Sequence, residues 1–213
     1  MRSLLLMNPN SNAATTAAMV AIAGTILPQI EGWTAPGGPG MIVTPEALDQ
    51  AAVLVGQTPL PALDGVIVAA FGDPGRETLA QRLTCPVVGI GAAAAIEAGI
   101  GGRRFAVVTT TPQLEARIDA LMRGRGDGAY LGCHFAQGDA LGLMAEPERL
   151  DAALLAAIEE AARAGAEAAI IGGGPLGEAA ERLASISPVP LVAPIRAAAR
   201  ALLHRLEAGP DGR

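Results

Sequence analysis

The stretch Val66–Leu83, "VIVAAFGDPGRETLAQRL", decides the fold. It opens with an apolar run of strand length, turns on "FGDPG" and enters a helix with polar residues on one side. A continuous apolar strand feeding a helix is the unit of a parallel sheet buried on both faces. In such sheets, ligands bind beyond the carboxyl ends of the strands. The residue at that strand end is Ala70, which carries no functional group.

The same grammar recurs along the chain. "SLLLMN", "CPVVGI", "RFAVVTT", "AAIIGG" and "PLVAP" are further strand candidates, separated by Ala-rich helical stretches. The two halves also match each other. "RSLLLMNPNSNAATTAAMVAIA" pairs with "RRFAVVTTTPQLEARIDALMR", "DGVIVAAFGDPGRETLAQRL" with "EAAIIGGGPLGEAAERLA", and "CPVVGIGAAAAIEAG" with "VPLVAPIRAAARALL". Ala70 and Gly173 are 103 positions apart, and Asn8 and Thr110 are 102 apart. A period this long is not a solenoid. It predicts an α/β fold of two parallel-sheet subdomains related by a pseudo-twofold axis. The first covers residues 1–96 with the C-terminal helix in 196–213, and the second covers 97–195. A site would lie between them, flanked by one strand end from each half.

Composition narrows the function. The chain has 213 residues, 51% of them hydrophobic but only 2% aromatic, so its core is built from Ala, Val, Leu and Ile. A net charge of −6 and the lack of a basic stripe argue against nucleic acid as a partner. No apolar run approaches membrane-spanning length, and "LLLM" is too short for a signal-peptide core. Cys85 and Cys133 form neither a disulfide framework nor a metal cluster, so a reduced, cytoplasmic protein without a metal is expected. There is no lysine, which excludes a lysine Schiff base.

The motifs "MNPNS", "VIVAAFGDPG", "CPVVGI", "FAVVTT" and "AAIIGGGPLGEAAERL", in that order, resemble the aspartate/glutamate/hydantoin racemase superfamily, and most closely its hydantoin and allantoin racemases. The resemblance runs from about residue 3 to about residue 204. It implies two α/β subdomains with the site between them, no cofactor, and a pair of cysteines that move a proton on opposite faces of a carbon next to a carbonyl. The family's first cysteine, in a motif like "ACFGDPG", falls on Ala70. The second, in a motif like "GCAGM", falls on Gly173. Neither side chain here can carry a proton. The departure at Gly173 extends to Gly174, Pro175 and Leu176, which reads as natural divergence rather than a single engineered knockout.

Other residues fill the picture as expectations. Asn8, Phe71, Thr109, Thr110, Gly173 and Gly174 are candidate substrate contacts beside Ala70. The "GGGPLG" turn could present N–H groups to an anion, or could simply be a turn that only glycine fits. Asn10 or Ser11 could cap the following helix, as could Thr111 before Pro112. Asp73 could be an acid–base group, but it also suits the cap of its own helix, with Pro74 and Glu77 in the opening turn. His134, read as lying in a connection, is the other candidate base. "GIGAAA" at Gly89–Ala94 fits part of a dinucleotide fingerprint, but the acidic residue expected some 20 positions on is missing.

The expected partner is a small carboxylate or cyclic ureide, and the expected assembly a homo-oligomer. Two functions remain. One is a cofactor-independent enzyme with non-thiol chemistry: decarboxylation, ring-opening hydrolysis or isomerisation, with racemisation by non-cysteine bases as its variant. The other is a non-catalytic binding protein. A titratable group in the pocket would favour an enzyme; a lining of glycine, alanine and backbone would favour a binder.

Overall fold

The computed structural model describes residues 2–208. In the first half, β1 (Leu4–Asn8), α1 (Ala13–Gly24), β2 (Ile30–Thr34), α2 (Pro45–Gln57), β3 (Gly65–Val68), α3 (Arg76–Arg82), β4 (Val87–Gly89) and α4 (Ile90–Ala98) follow one another. The second half repeats the order with β5 (Arg104–Thr109), α5 (Glu115–Met122), β6 (Ala129–Phe135), α6 (Ala140–Met144), α7 (Pro147–Arg163), β7 (Ala168–Ile171), α8 (Gly177–Leu183), β8 (Leu191–Val192) and α9 (Pro194–Ala208). The strands form two four-stranded sheets, β2-β1-β3-β4 and β6-β5-β7-β8, and all their pairings are parallel. The internal repeat therefore appears as one strand order used twice.

The continuous apolar strands face two cores at once. On β1 and β3, Leu4, Leu6, Ile67 and Ala69 point into a central core shared with Phe105, Val107, Ala168 and Ile170 of the second sheet. Their alternate neighbours Met7, Val66 and Val68 pack outward with Val55 of α2 and Leu79 of α3. On the second sheet, Ala106, Val108, Ala169 and Ile171 face outward to α7 and α8. This is the period-two alternation of a strand, hidden in the sequence because both faces are buried.

The closing helices cross over. α9 ends the second copy but packs on α1, β3 and β4 of the first half. α4 ends the first copy but touches α5, β7 and β8 of the second half, and α4 and α9 pack on each other. Arg200 of α9 holds Glu97 of α4 through two contacts of 2.6 and 3.0 Å. The division at residue 96 would cut α4 near its end and stays a proposal; residues 209–213 of its C-terminal segment lie outside the described residues. No helix among the described residues is long and apolar enough to cross a membrane.

Two edge strands, β2 and β6, complete the sheets. Cys133 and His134 belong to β6, paired with Val107 and Val108 of β5, so His134 does not lie in the connection expected for it. The reason is that this strand is partly exposed along its whole length, so "AYLGCHF" lacks a continuous apolar signal.

Candidate active site

The carboxyl ends of β3, β5 and β7 meet at one small cavity of about 60 Å³, room for a handful of water molecules. Ala70 and Phe71 line it from the first half, and Thr110, Gly173 and Gly174 from the second. Further walls include Asn10, Thr111, Leu114 and Ile118, with Met41 and Ile42 from the loop after β2 and Met144 from α6. Ala70 and Gly173, at matching strand ends, thus open into the same cavity. Among the described residues, its wall contains no Asp, Glu, His, Cys or Tyr side chain.

The glycine run is explained first by close approach. A Cβ on Gly172 would lie 3.1 Å from the Phe71 ring. One on Gly174 would lie 2.7 Å from the Met19 sulfur and 3.1 Å from the Ala69 carbonyl oxygen. The two strand-end turns touch here, and bulkier residues would pry them apart. The backbone N–H groups of Ala70, Phe71, Thr110, Thr111, Gly173 and Gly174 have no backbone acceptor among the described residues. Such donors at a shared cavity suit an oxygen that carries or develops negative charge.

Two expected contacts stand behind the wall rather than in it. Asn8 is fully buried. Its Nδ2 donates to Asn10 Oδ1 (2.8 Å) and Thr16 Oγ1 (2.9 Å), and its Oδ1 accepts from the Asn10 amide (3.1 Å). It holds the "NPNS" turn and so sets the position of Asn10, which does line the cavity. Thr109 is also fully buried and donates from Oγ1 to the Gly172 carbonyl at 2.6 Å, with Thr111 Oγ1 at 3.1 Å. It ties the end of β5 to the glycine turn. The helix cap after β1 is Asn12, whose side chain accepts from the Thr15 amide, not Asn10 or Ser11. Thr111 makes no side-chain cap bond.

Asp73 corrects a further expectation. It does not cap its own helix, where Gly75 holds the N-cap position without a side-chain bond. Its carboxylate instead reaches the start of α4, accepting from Gly91 N (2.7 Å) and Ala92 N (2.8 Å). A Cβ on Gly89 would overlap that carboxylate, and one on Gly91 would lie 3.2 Å from it. "GIG" is therefore a cradle for an internal carboxylate, which fills the anion position that a dinucleotide motif would offer. Burial pushes the Asp73 carboxyl up to about 6, against the pull of the two amides and of Arg76 and Arg125. It faces away from the cavity.

His134 is half-buried on β6 and does not line the cavity. Cys85 precedes β4, at the amino end of the first sheet. Burial raises the thiols of both Cys85 and Cys133, the latter to about 11.

An α/β fold with a small cavity between two matched halves defines a class, and comparison with known proteins names it: the chain belongs to the Asp/Glu/hydantoin racemase family, whose model matches residues 4–202. It is 32% identical over 151 residues to a hydantoin racemase of Rhizobium meliloti, covering 69% of this chain and 62% of that one, less than two thirds of the relative's length. It is 28% identical to a hydantoin racemase of Paenarthrobacter aurescens over 92% of this chain and 88% of that one. The crystal structure of an allantoin racemase from Pseudomonas fluorescens superposes with a TM-score of 0.83 at 25% identity, covering 97% of this chain and 92% of that one.

Proposed function

We propose that this racemase-family protein is a cofactor-independent enzyme that acts on a small carboxylate or cyclic ureide by non-thiol chemistry, and that decarboxylation is the reaction its cavity suits best. The observation that carries this reading is a wall rich in backbone and hydroxyl donors and free of titratable side chains. Isomerisation must remove a proton from carbon, and ring-opening hydrolysis must take one from water. Each calls for a base, and none lines the wall. Loss of CO₂ needs no base. The carboxylate carbon leaves with both oxygens, and the bonding electron pair passes to the neighbouring carbon and on to a carbonyl oxygen held by the amides. A proton from solvent then completes the product. The same wall speaks against racemisation by non-cysteine bases.

The bare wall also favours a second reading, a binding protein derived from a racemase. One experiment separates the two. The protein is incubated with acids that bear a second carbonyl group on the carbon next to the carboxylate, and CO₂ release is followed alongside equilibrium dialysis. Release supports the decarboxylase. Saturable binding without release supports the binder. A parallel incubation with a chiral hydantoin, followed by optical rotation, would overturn both if it showed racemisation.

A further inference from the structure

A second concavity lies back to back with the cavity and shares two of its walls. It measures about 300 Å³ and is enclosed by α2, the turn Gly72–Gly75, the start of α3, and α5 with Arg125 just beyond it. The turn after β3 separates the two spaces: Ala70 and Phe71 line the first, Gly72 to Gly75 the second. α5 does the same, with Ile118 facing the cavity and Arg117 the groove. The groove also spans the seam, since α2 and α3 belong to the first half and α5 to the second.

Its charges are unevenly satisfied. Arg117 holds Asp49 with contacts of 2.6 and 2.8 Å, a pair that bridges the halves. The Asp73 carboxylate is turned into the α4 amides. Arg76 and Arg125, both half-buried, have no ion-pair partner among the described residues; Arg125 spends only its Nε, on the Leu121 carbonyl at 3.3 Å. Glu77 and Asp73 balance these two charges, so the groove is neutral overall, but with Asp73 spent on the α4 amides the two guanidinium groups are left without a carboxylate bonded to them. Two guanidinium groups in one groove match the oxygens of a phosphate or carboxylate group.

We infer that this groove is an effector site for a small phosphate-type anion, held by Arg76 of the first half and Arg125 of the second across the seam. An anion gripped there would fix α5 against the turn after β3, and both of these are walls of the cavity. Effector and cavity ligand would then influence each other reciprocally. The anion site itself does not depend on which reaction the cavity performs.

Inorganic phosphate tests it. ¹⁵N-labelled protein is titrated with phosphate at constant ionic strength, with chloride as the balancing anion. Saturable shifts are expected at the Gly72 and Gly75 amides, with smaller ones at Ala70 and Phe71. Arg76→Gln and Arg125→Gln, singly and together, should weaken binding at least tenfold for the pair. Arg123→Gln, on exposed surface outside the groove, should leave it unchanged. Thermal melts confirm that each variant folds, and the single variants decide the matter if the double does not. Absence of saturation, or shifts centred on Thr110, Gly173 and Gly174 that survive both substitutions, would overturn the inference by leaving the groove empty.

Discussion

The Asp73 carboxylate and the Gly91 amide, 18 residues apart, meet at 2.7 Å, so that an acid from the turn after β3 caps the helix that follows β4. The contact fixes that turn, and Ala70 with it, to α4, the helix that crosses to the second sheet. Its consequences for stability can be measured.

Asp73 should give stability a distinctive pH dependence. Its folded pKa of about 6 lies above the ordinary value of 3.8. The folded state therefore binds a proton more tightly than the unfolded one. The stabilisation this confers is complete below about pH 3.8 and is lost as pH rises through about 6. At roughly 1.4 kcal/mol per pKa unit, the loss is on the order of 2–3 kcal/mol. Urea midpoints from pH 4 to 7.5 should show this fall in the wild type. Asp73→Asn should remove it, and parallel profiles for the two proteins would refute the assignment.

The cradle predicts a coupled pair. Gly89→Ala should cost about 1–3 kcal/mol, because the added methyl displaces a buried, hydrogen-bonded carboxylate. Asp73→Ala should cost about 1–2 kcal/mol through two orphaned amides. Together they should cost clearly less than the sum, since the methyl then has nothing to evict. Additive losses in denaturant unfolding would mean that the cradle is not what Gly89 provides.

How far the sequence discloses this arrangement depends on the signal each residue leaves. Six strands stand out because both their faces are buried, and the repeat pairs them correctly. β2 and β6 do not, because partly exposed residues, such as Glu31 and Gly32 in "IEGWT", break the apolar run. Ala70 and Gly173 are legible as matched strand ends. The polarity of Asn8 and Thr109 suggests a ligand, while the bond each makes to its neighbouring turn leaves no mark in the sequence. The partnership of Asp73 with "GIG" is invisible in one dimension: its donors are backbone N–H groups of another element, and the glycines resemble a nucleotide motif.

Thr109 is a positioning residue with a measurable role. Thr109→Val keeps the shape but strands the Gly172 carbonyl, which should cost about 1–2 kcal/mol. It should also weaken ligand binding in the cavity by loosening the glycine turn. Thr109→Ser, which restores the hydroxyl, should recover most of both. A valine variant with unchanged stability and affinity would show that the 2.6 Å bond is dispensable.

Thiol chemistry should be absent from the wild type and open to installation. Cys85 and Cys133 lie off the cavity, and burial raises both thiols away from reactivity. Iodoacetamide should therefore leave ligand binding unchanged. At Gly173, an added Cβ would lie 3.1 Å from the Leu176 side chain, which must shift to admit a thiol, and the backbone φ of 159° adds strain, so the double variant should be less stable than the wild type. Ala70→Cys with Gly173→Cys should bring hydantoin racemisation that alkylation abolishes, followed by optical rotation. Alkylation-sensitive racemisation already present in the wild type would overturn the non-thiol reading.

The sign of the ligand's charge is the last expectation. Among the described residues no cationic or anionic side chain lines the cavity, so selection rests on neutral donors: the Thr110 and Thr111 hydroxyls, the Asn10 amide and the backbone N–H groups. Donors of this kind converge on an oxygen and offer an ammonium group little. A thermal-shift screen of small carboxylic acids, cyclic ureides and amines should therefore show stabilisation by acids or ureides alone. At 100 times its dissociation constant, a ligand adds about 2.7 kcal/mol, enough for a shift of several degrees. The small cavity should also rank the hits, with compact acids ahead of bulky ones unless the loop carrying Met41 and Ile42 opens. Because phosphate would add its own shift through the groove, the screen belongs in a phosphate-free buffer. Stabilisation by amines and by no acid or ureide would show that the donors do not face the ligand, and the oxyanion reading of the cavity would fall with it.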